Sequence, residues 1–249
     1  MPKIIAVLLL LSAYTTLEIP DTYTYKIIKT QNFDLASWQK ITNADAFYKI
    51  YIEGDGNAFN ASGYPSQDPT PRGTLVRSLA FQDPSPNVIY LARPCQFIKS
   101  AVCAKKRHWT TARFAPEIIT AEYDAVKQIA ETRPVILIGF SGGAQIAGLI
   151  ATAKPGLNVK KIITIAGNLD HEAWTKYHKL PPLNESMSLN DYRANFQKIP
   201  QTHYVGEKDE VILPFLIKEF ADQKDVIIVK GATHNKGWES IEQKIWQEK

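Results

Sequence analysis

The 249-residue sequence lacks the composition of several specialised classes of protein. Its 13 glycines and 15 prolines follow no period, which excludes a collagen-like or low-complexity chain. No run of lysine and arginine exceeds the three residues 105–107, and the formal net charge is only +4, so we expect no nucleic-acid partner. Hydrophobic residues still make up 45% of the chain, which is enough for a folded core and excludes disorder over most of its length.

Long apolar runs are also missing, and the N-terminal run covers only the eight residues 4–11. A membrane-spanning helix needs roughly 18 such residues, so we expect no integral membrane span in the mature chain. Lys3 precedes the run and small residues follow it, which is the layout of a secretory signal peptide. We therefore predict a signal peptide at residues 1–13 and a periplasmic or secreted bacterial protein. The alternative is a buried first strand in a cytoplasmic protein.

Only two cysteines are present, Cys95 and Cys103, and they are eight positions apart. Structural zinc sites use closer cysteine pairs or histidine partners, so this spacing does not predict a metal site. In an oxidising compartment the two residues fit a disulfide that closes a short loop, and two unrelated buried thiols are the alternative. Neither a metal nor another cofactor is expected.

Predicted strands and helices alternate along most of the chain, which is the pattern of an α/β fold with a mostly parallel central sheet flanked by helices. No linker or internal repeat divides it, and we predict a single domain over residues 21–249. Residues 168–199 are polar and irregular, so we interpret them as a small cap insertion. The predicted strands are residues 23–30, 33–41, 47–52, 87–92, 135–138, 161–166, 202–205 and 226–229, and the predicted helices are residues 74–81, 115–131, 144–153, 211–220 and 238–246.

The strongest chemical signal is the sequence GFSGG at residues 139–143, between the apolar strand VILI and a helix of small residues. A G-x-S-x-G sequence in a strand–turn–helix context is typical of a nucleophile elbow, in which a tight turn exposes the serine above the sheet. We therefore predict Ser141 as a nucleophile. The backbone N–H of Gly142, at the start of the helix, then faces the position of a developing oxyanion. An ordinary glycine-rich turn is the alternative.

A serine nucleophile needs a base and an acid, and candidates for both follow later predicted strands. His234 follows the last strand, and Asp209 follows the preceding strand. Serine, acid and then histidine is the chain order of α/β hydrolases. Asp170, one strand earlier, is the rival acid. The remaining histidines, which lie before the serine, in the cap or within a strand, are His108, His171, His178 and His203.

A second oxyanion donor is expected from the loop after the third strand. This loop has the sequence EGDG at residues 53–56, where the backbone N–H of Asp55 is the best placed donor and that of Gly56 is the next. A plain glycine-rich turn is the alternative. Gly56 is also a candidate for contact with the substrate, as are Trp174 and His178 in the cap, although a structural role would explain the two cap residues equally well.

The sequence resembles the α/β-hydrolase superfamily in its serine-nucleophile form, and in particular a group of exported bacterial α/β hydrolases whose substrates are poorly defined. The resemblance implies the α/β-hydrolase fold, a Ser141–Asp209–His234 triad, oxyanion donors near Asp55 and Gly142, and pairing of the two cysteines. The stretches that carry it are YIEGDG (51–56), DPTP (68–71), YLARPCQF (90–97), WTTARF (109–114), GFSGG (139–143), AGNLDHEAW (166–174), IPQTHYVGEKD (199–209) and GATHNKGW (231–238).

The predicted activity is hydrolysis of a carboxylic ester in a small-molecule or acyl substrate, through an acyl-enzyme on Ser141. Peptide, amide and thioester bonds are alternatives, because the same apparatus cleaves all of them. A hydrolase-like binding protein without turnover is an alternative from a different class, and it would have a broken triad or a blocked oxyanion hole.

Overall fold

The computed structural model describes residues 17–248, so the predicted signal peptide at residues 1–13 lies outside the described residues. The described chain forms one eight-stranded, mostly parallel sheet with helices packed against both faces. This architecture confirms the predicted α/β fold class. Within residues 17–248, no helix combines the length and the apolar character needed to cross a bilayer.

The eight strands agree closely with the predicted ones. They are β1 (Thr24–Lys29), β2 (Asp34–Ile41), β3 (Tyr48–Ile52), β4 (Asn87–Leu91), β5 (Pro134–Phe140), β6 (Asn158–Ile165), β7 (Gln201–Gly206) and β8 (Val226–Val229). Their order in the sheet is β1-β2-β4-β3-β5-β6-β7-β8. β2 is antiparallel to both β1 and β4, and every other pairing is parallel.

Seven α-helices connect or follow these strands in the described part of the chain. They are α1 (Leu75–Gln82), α2 (Pro116–Ala130), α3 (Gly142–Thr152), α4 (His171–Tyr177), α5 (Arg193–Phe196), α6 (Pro214–Phe220) and α7 (Glu242–Trp246). The helix predicted at residues 238–246 is only partly α-helical, because a 3-10 turn occupies Glu239–Ile241 before α7. The predicted cap at residues 168–199 lies between β6 and β7 and contains α4 and α5.

The central strand β5 separates two apolar cores. Successive side chains of a strand point to opposite faces of the sheet. Val135 and Leu137 accordingly pack with α2 and α3, whereas Ile136 and Ile138 pack with α1 and α7. A strand buried on both faces must be apolar at every position, which explains why VILI shows no alternation.

The parallel strands bring their carboxyl ends to the same edge of the sheet. β3, β5, β6, β7 and β8 are consecutive in the sheet and all parallel, so the loops that follow them meet at this edge. Parallel α/β sheets bind ligands at this edge. The residues predicted to carry the chemistry all lie in these loops.

The helix predicted at residues 211–220 begins three residues later, at Pro214. Asp209 accepts hydrogen bonds from the backbone N–H groups of Val211 and Ile212, at 2.9 Å each, and these bonds hold the two residues in a turn. Leu213 is extended, because a residue before proline avoids the helical region.

Cys95 and Cys103 form a disulfide, with their Cα atoms 5.4 Å apart. The bridge closes a loop that leaves the carboxyl end of β4. A 3-10 turn, Ala101–Ala104, includes Cys103 at the end of this loop, and a second one, Lys106–Trp109, follows before α2 begins. Because β4 lies beside β3, this segment runs next to the loop at residues 53–56.

Candidate active site

Ser141 occupies a sharp turn between β5 and α3. Its φ of 50° and ψ of −122° lie outside the regions that residues with a side chain ordinarily adopt. Two hydrogen bonds hold this backbone: the Ser141 N–H donates to the Ile165 carbonyl at 3.1 Å, and the Ser141 carbonyl accepts from the Asn168 N–H at 2.9 Å. Gly139 permits the turn, because a Cβ there would lie 2.5 Å from the Gly143 carbonyl oxygen. Backbone strain of this kind is concentrated at functional sites.

His234 connects the serine to an acid. Its Nε2 lies 3.1 Å from the Ser141 Oγ, and its Nδ1 lies 2.9 Å from the Asp209 Oδ2. The Asp209 side chain is fully buried and that of His234 is 13% exposed. With the ring proton on Nδ1 donating to Asp209, Nε2 is free to accept the serine proton. The structure therefore brings together the three residues that the sequence indicated.

The rival acid, Asp170, has a different position. Its Oδ1 caps α4 by accepting the backbone N–H groups of Glu172 and Ala173, at 3.0 and 2.9 Å. Glu207, a neighbour of Asp209, accepts instead from the Gly231 N–H at 2.9 Å. Both carboxylates thus stabilise local backbone.

Two other histidines are also held away from the serine. The ring of His171 contacts the Gln145 amide at 2.8 Å. His203 lies inside β7, where its ring nitrogens contact Thr164 and Gln201 at 2.9 and 2.8 Å. Burial lowers the pKa of His203 to about 4, so this ring is neutral at ordinary pH.

The loop at residues 53–56 lies directly against the start of α3. A Cβ on Gly142 would overlap the Asp55 carboxylate, so the side chain of Asp55 packs on the Cα of Gly142. Among residues 17–248, no acceptor takes a hydrogen bond from the backbone N–H of Asp55 or of Gly142. Both donors predicted for the oxyanion hole are thus free of partners in the described part of the chain.

Two arginines that follow β4 hold the Asp55 side chain. Arg93 Nη1 forms an ion pair with Oδ1, and Arg113 Nη1 forms one with Oδ2. Burial disfavours the charged carboxylate, but the two guanidinium groups outweigh this effect and hold the pKa of Asp55 below its ordinary value. The amide of Gln96 supports the same loop by donating to the Gly54 carbonyl at 2.9 Å.

Arg93 and Gln96 are residues of this site that no sequence motif indicated. Strand pairing places them there. β4 pairs with β3, with Leu91 opposite Ile52, so the residues after β4 lie beside the loop after β3. That pairing is not visible in the sequence itself. Arg113 comes from the segment that leads into α2.

A cleft of about 1060 Å³ opens above Ser141 and His234. Residues of the cap form one wall, and residues of the loop after β3 form another. Gly56 and Trp174, both predicted to contact substrate, line this cleft. The other apolar lining side chains are Ala58, Phe59, Pro65, Pro71, Leu75, Val76, Phe140, Leu180, Pro181, Leu183, Val211 and Ile212.

His178 lies outside the lining of this cleft, so the structure does not support its predicted contact with substrate. Its Nε2 lies 2.9 Å from the Val211 carbonyl oxygen, which also accepts the Trp174 indole N–H at 2.8 Å. The two rings pack together with centroids 5.3 Å apart. His178 therefore packs against Trp174 and contacts the same carbonyl oxygen.

No three histidine, cysteine, aspartate or glutamate side chains within residues 17–248 are arranged to hold a metal ion.

Solved structures share this fold at low sequence identity. Carboxyl esterase 2 of the mycorrhizal fungus Tuber melanosporum is 14% identical, with a TM-score of 0.59 over 92% of this chain and 87% of that one. The esterase PF2001 of Pyrococcus furiosus is 16% identical, with a TM-score of 0.56 over 90% and 87%. The thioesterase domain from the curacin biosynthetic pathway is 12% identical, with a TM-score of 0.56 over 90% and 97%. These likenesses show the α/β-hydrolase fold.

No curated protein sequence is significantly similar to the chain. A family model does match, and its description is "Serine hydrolase (FSH1)". The match covers residues 105–237, which is more than half of the 249 residues and includes Ser141, Asp209 and His234. The chain therefore belongs to the FSH1 serine hydrolase family.

Proposed function

We propose that the protein hydrolyses carboxylic esters through an acyl-enzyme on Ser141. The observation that carries this proposal is the continuous hydrogen-bonded chain from Ser141 through His234 to Asp209, at 3.1 and 2.9 Å. A hydroxyl group is a weak nucleophile at neutral pH, and it needs an adjacent base to become reactive. An oriented histidine in contact with a serine at a strained turn supplies that base.

The reaction begins when the Ser141 Oγ attacks the ester carbonyl carbon. His234 accepts the hydroxyl proton at Nε2, and the carbonyl oxygen becomes an oxyanion. As the tetrahedral intermediate collapses, the C–O bond breaks and His234 gives the proton to the departing alkoxide, which leaves as an alcohol. Water then attacks the acyl-enzyme with the same proton transfers and releases the carboxylic acid.

The backbone N–H groups of Asp55 and Gly142 would stabilise the oxyanion. Gly142 begins α3, whose eleven residues add a partial positive charge at this end. Preorganised donors of this kind contribute about 3–4 kcal/mol each to the stabilisation of the transition state.

The cleft favours a substrate with an apolar acyl or alcohol group, because apolar atoms form most of its surface. Amides and thioesters are the alternatives, since the same steps cleave them. The complete hydrogen-bonded chain argues against a binding protein that has lost turnover.

The first test is labelling of the purified protein with a fluorophosphonate probe, with Ser141→Ala as the matched control. We expect labelling of the wild type and none of the variant. Both proteins should then be tested on a panel of acyl esters, thioesters and aminoacyl amides, which we expect to rank esters first. A folded wild type that neither reacts with the probe nor turns over any substrate would exclude the mechanism.

We also propose that the protein is exported. The disulfide is compatible with this, because such bonds persist in oxidising compartments. The full-length chain should be expressed with a C-terminal tag in a Gram-negative host, followed by fractionation and N-terminal sequencing. We expect a periplasmic product that begins near residue 14, and a cytoplasmic product with an intact N-terminus would contradict export.

A further inference from the structure

We propose that the ion-paired cluster of Asp55, Arg93 and Arg113 is a positioning device for the oxyanion hole. The inference rests on the proposed function, because it concerns the geometry in which Ser141 would react. It assigns a role to the side chain of Asp55 that is separate from the role of its backbone N–H.

The Asp55 side chain is in direct contact with the start of α3. The Asp55 carboxylate occupies the space beside the Gly142 Cα that a side chain at that position would need, and Arg93 Nη1 lies 3.1 Å from the same point. Asp55 therefore connects the two proposed donors: its own N–H is one, and its carboxylate packs on the residue that provides the other. A shift of this side chain would change the distance between the donors.

The two arginines also set the charge of the cluster beside the proposed oxyanion site. A lone carboxylate at this position would repel the negative charge that develops on the substrate oxygen. Two guanidinium groups give the cluster a net charge of +1, which reverses the sign of that interaction. The side chains of Arg93 and Arg113 are only 5% and 6% exposed, so solvent and salt screen them weakly.

Hydrogen bonds hold the two arginines in place. Arg93 Nη2 donates to the Arg113 carbonyl, and Arg113 Nε donates to the Thr110 carbonyl at 2.7 Å. Gln96 Oε1 accepts the Arg93 backbone N–H at 3.1 Å. The Gln96 bond connects the cluster to the loop that the disulfide closes, and the other two connect it to residues 110–113.

Arg113 also contacts both walls of the cleft. Its guanidinium carbon lies 5.6 Å from the centre of the Phe59 ring and 6.0 Å from that of the Trp174 ring. These distances are within the range of cation–π attraction. The cluster therefore links the loop after β3, the start of α3 and the cap, which are the three parts of the fold that surround a bound substrate.

A displaced oxyanion donor weakens binding of the transition state and leaves binding of the ground-state ester largely unchanged. Removal of one arginine should consequently lower kcat and change KM little. A misplacement of about 1 Å lowers rates on the order of 100-fold. If the ion pair served only overall stability, its loss would lower the yield of folded protein. It would not reduce the turnover of each folded molecule.

The test compares Arg113→Met and Arg113→Lys with the wild type and with Arg107→Met. Arg107 is a matched control, because it lies in the same segment and pairs with Glu117 and Glu185 but does not line the cleft. Active sites should be counted by fluorophosphonate labelling to completion, so that kcat refers to folded enzyme. The inhibition constant of an alkyl boronic acid, which forms a tetrahedral adduct with the serine, measures the oxyanion hole directly.

We expect Arg113→Met to lower kcat about 10- to 100-fold, to keep KM within about threefold, and to raise the boronic acid inhibition constant in parallel with the loss of kcat. Arg113→Lys restores the charge and should recover part of both losses. Arg107→Met should match the wild type in both measurements. If Arg113→Met gives too little folded protein, Arg113→Lys alone tests the proposal. We expect its kcat to be several-fold below that of the wild type.

Unchanged kcat and inhibition in the Arg113 variants, with the wild type active, would overturn the positioning role and leave the proposed function intact. An equal loss in Arg107→Met would overturn it as well, because the effect would then be general. A wild type that is inert toward both the probe and the esters would instead remove the proposed function, and this inference with it.

Discussion

Asp209 and His234 are joined by a contact of 2.9 Å between Oδ2 and Nδ1, while the other oxygen of the same carboxylate holds a backbone turn. One buried side chain therefore orients the ring and shapes the loop that carries it. The two roles use different atoms, so a substitution that changes only one oxygen can separate them.

Asp209→Asn should separate these two roles. The amide oxygen can still accept the two backbone N–H groups, but the amide NH₂ faces the His234 ring and favours the wrong tautomer. We expect kcat to fall about 10⁴-fold, with a change of less than about 1 kcal/mol in the free energy of unfolding. Steady-state kinetics and urea unfolding measure the two quantities.

The control for this variant is Asp170→Asn. Asp170 also accepts two backbone N–H groups, but it does not contact His234. We expect activity within about threefold of the wild type, because the acid that acts on the base is unchanged. An equal loss of activity in both variants would assign the effect to loop structure.

Trp174→Ala should affect substrate binding more than chemistry. The indole ring lines the cleft, and its removal takes away apolar surface that a bound acyl or alcohol group would cover. We expect KM for an ester with an apolar chain to rise about tenfold, with kcat within about threefold. His178→Gln is the control and should change KM less, because the imidazole contacts Trp174 and the Val211 carbonyl and not the cleft.

Reduction of the Cys95–Cys103 disulfide should destabilise the fold. The bond closes a loop across a separation of eight residues, and loop-closure entropy for this size corresponds to about 2–3 kcal/mol. We expect a matching decrease in the free energy of unfolding in urea when reductant is added. The Cys95→Ala/Cys103→Ala variant is the control, since reductant should have no effect on it. Identical unfolding of the wild type with and without reductant would contradict the prediction.

Glu122 should make the stability of the protein depend on pH. The residue is fully buried in α2, and its carboxyl oxygens accept no hydrogen bond from residues 17–248. Burial raises its pKa from 4.5 to about 8. Between these two values the unfolded chain has lost a proton that the native state retains, so stability falls as pH rises.

Glu122→Gln removes this group from the titration. We expect the variant and the wild type to have similar stability near pH 4.5, and the variant to be more stable by a few kcal/mol at pH 8 and above. Urea unfolding at several pH values measures the difference. Glu131→Gln, at an exposed position just after the same helix, is the control and should keep the wild-type dependence. If the free energy of unfolding of Glu122→Gln changed with pH as steeply as that of the wild type, other groups would cause the dependence.

Much of the fold was predictable because the signals are local. The apolar run VILI, followed directly by GFSGG, indicated both the buried strand and the turn, since a strand covered on two faces is apolar throughout and an elbow needs glycine for close approach. The start of α6 was predicted three residues too early, although the interactions that set it are also local. Apolar spacing suggested a helix from residue 211. The backbone N–H groups of Val211 and Ile212 instead donate to Asp209, and the helix begins at Pro214.

Some residues of the site were predictable from the sequence and others were not. Ser141, His234 and Asp209 each follow a strand, and strands of a parallel sheet end at one edge, so their positions along the chain indicated that they would meet. His178 was a candidate for contact with substrate because it lies in the predicted cap, but a position in the cap does not show which side chains face the cleft. Its ring instead packs against Trp174 and contacts the Val211 carbonyl.

The sequence by itself determined the order of elements, the strained serine turn and the candidates for base and acid, because each depends on short-range sterics or on the period of apolar residues. Only the tertiary structure decided between Asp209 and Asp170 as the carboxylate in contact with His234. It alone also revealed the pairing of Asp55 with Arg93 and Arg113, which are 38 and 58 positions away in the chain. Ion pairs and hydrogen bonds act over a few ångströms, and which distant residues come that close is set by the packing of the whole sheet.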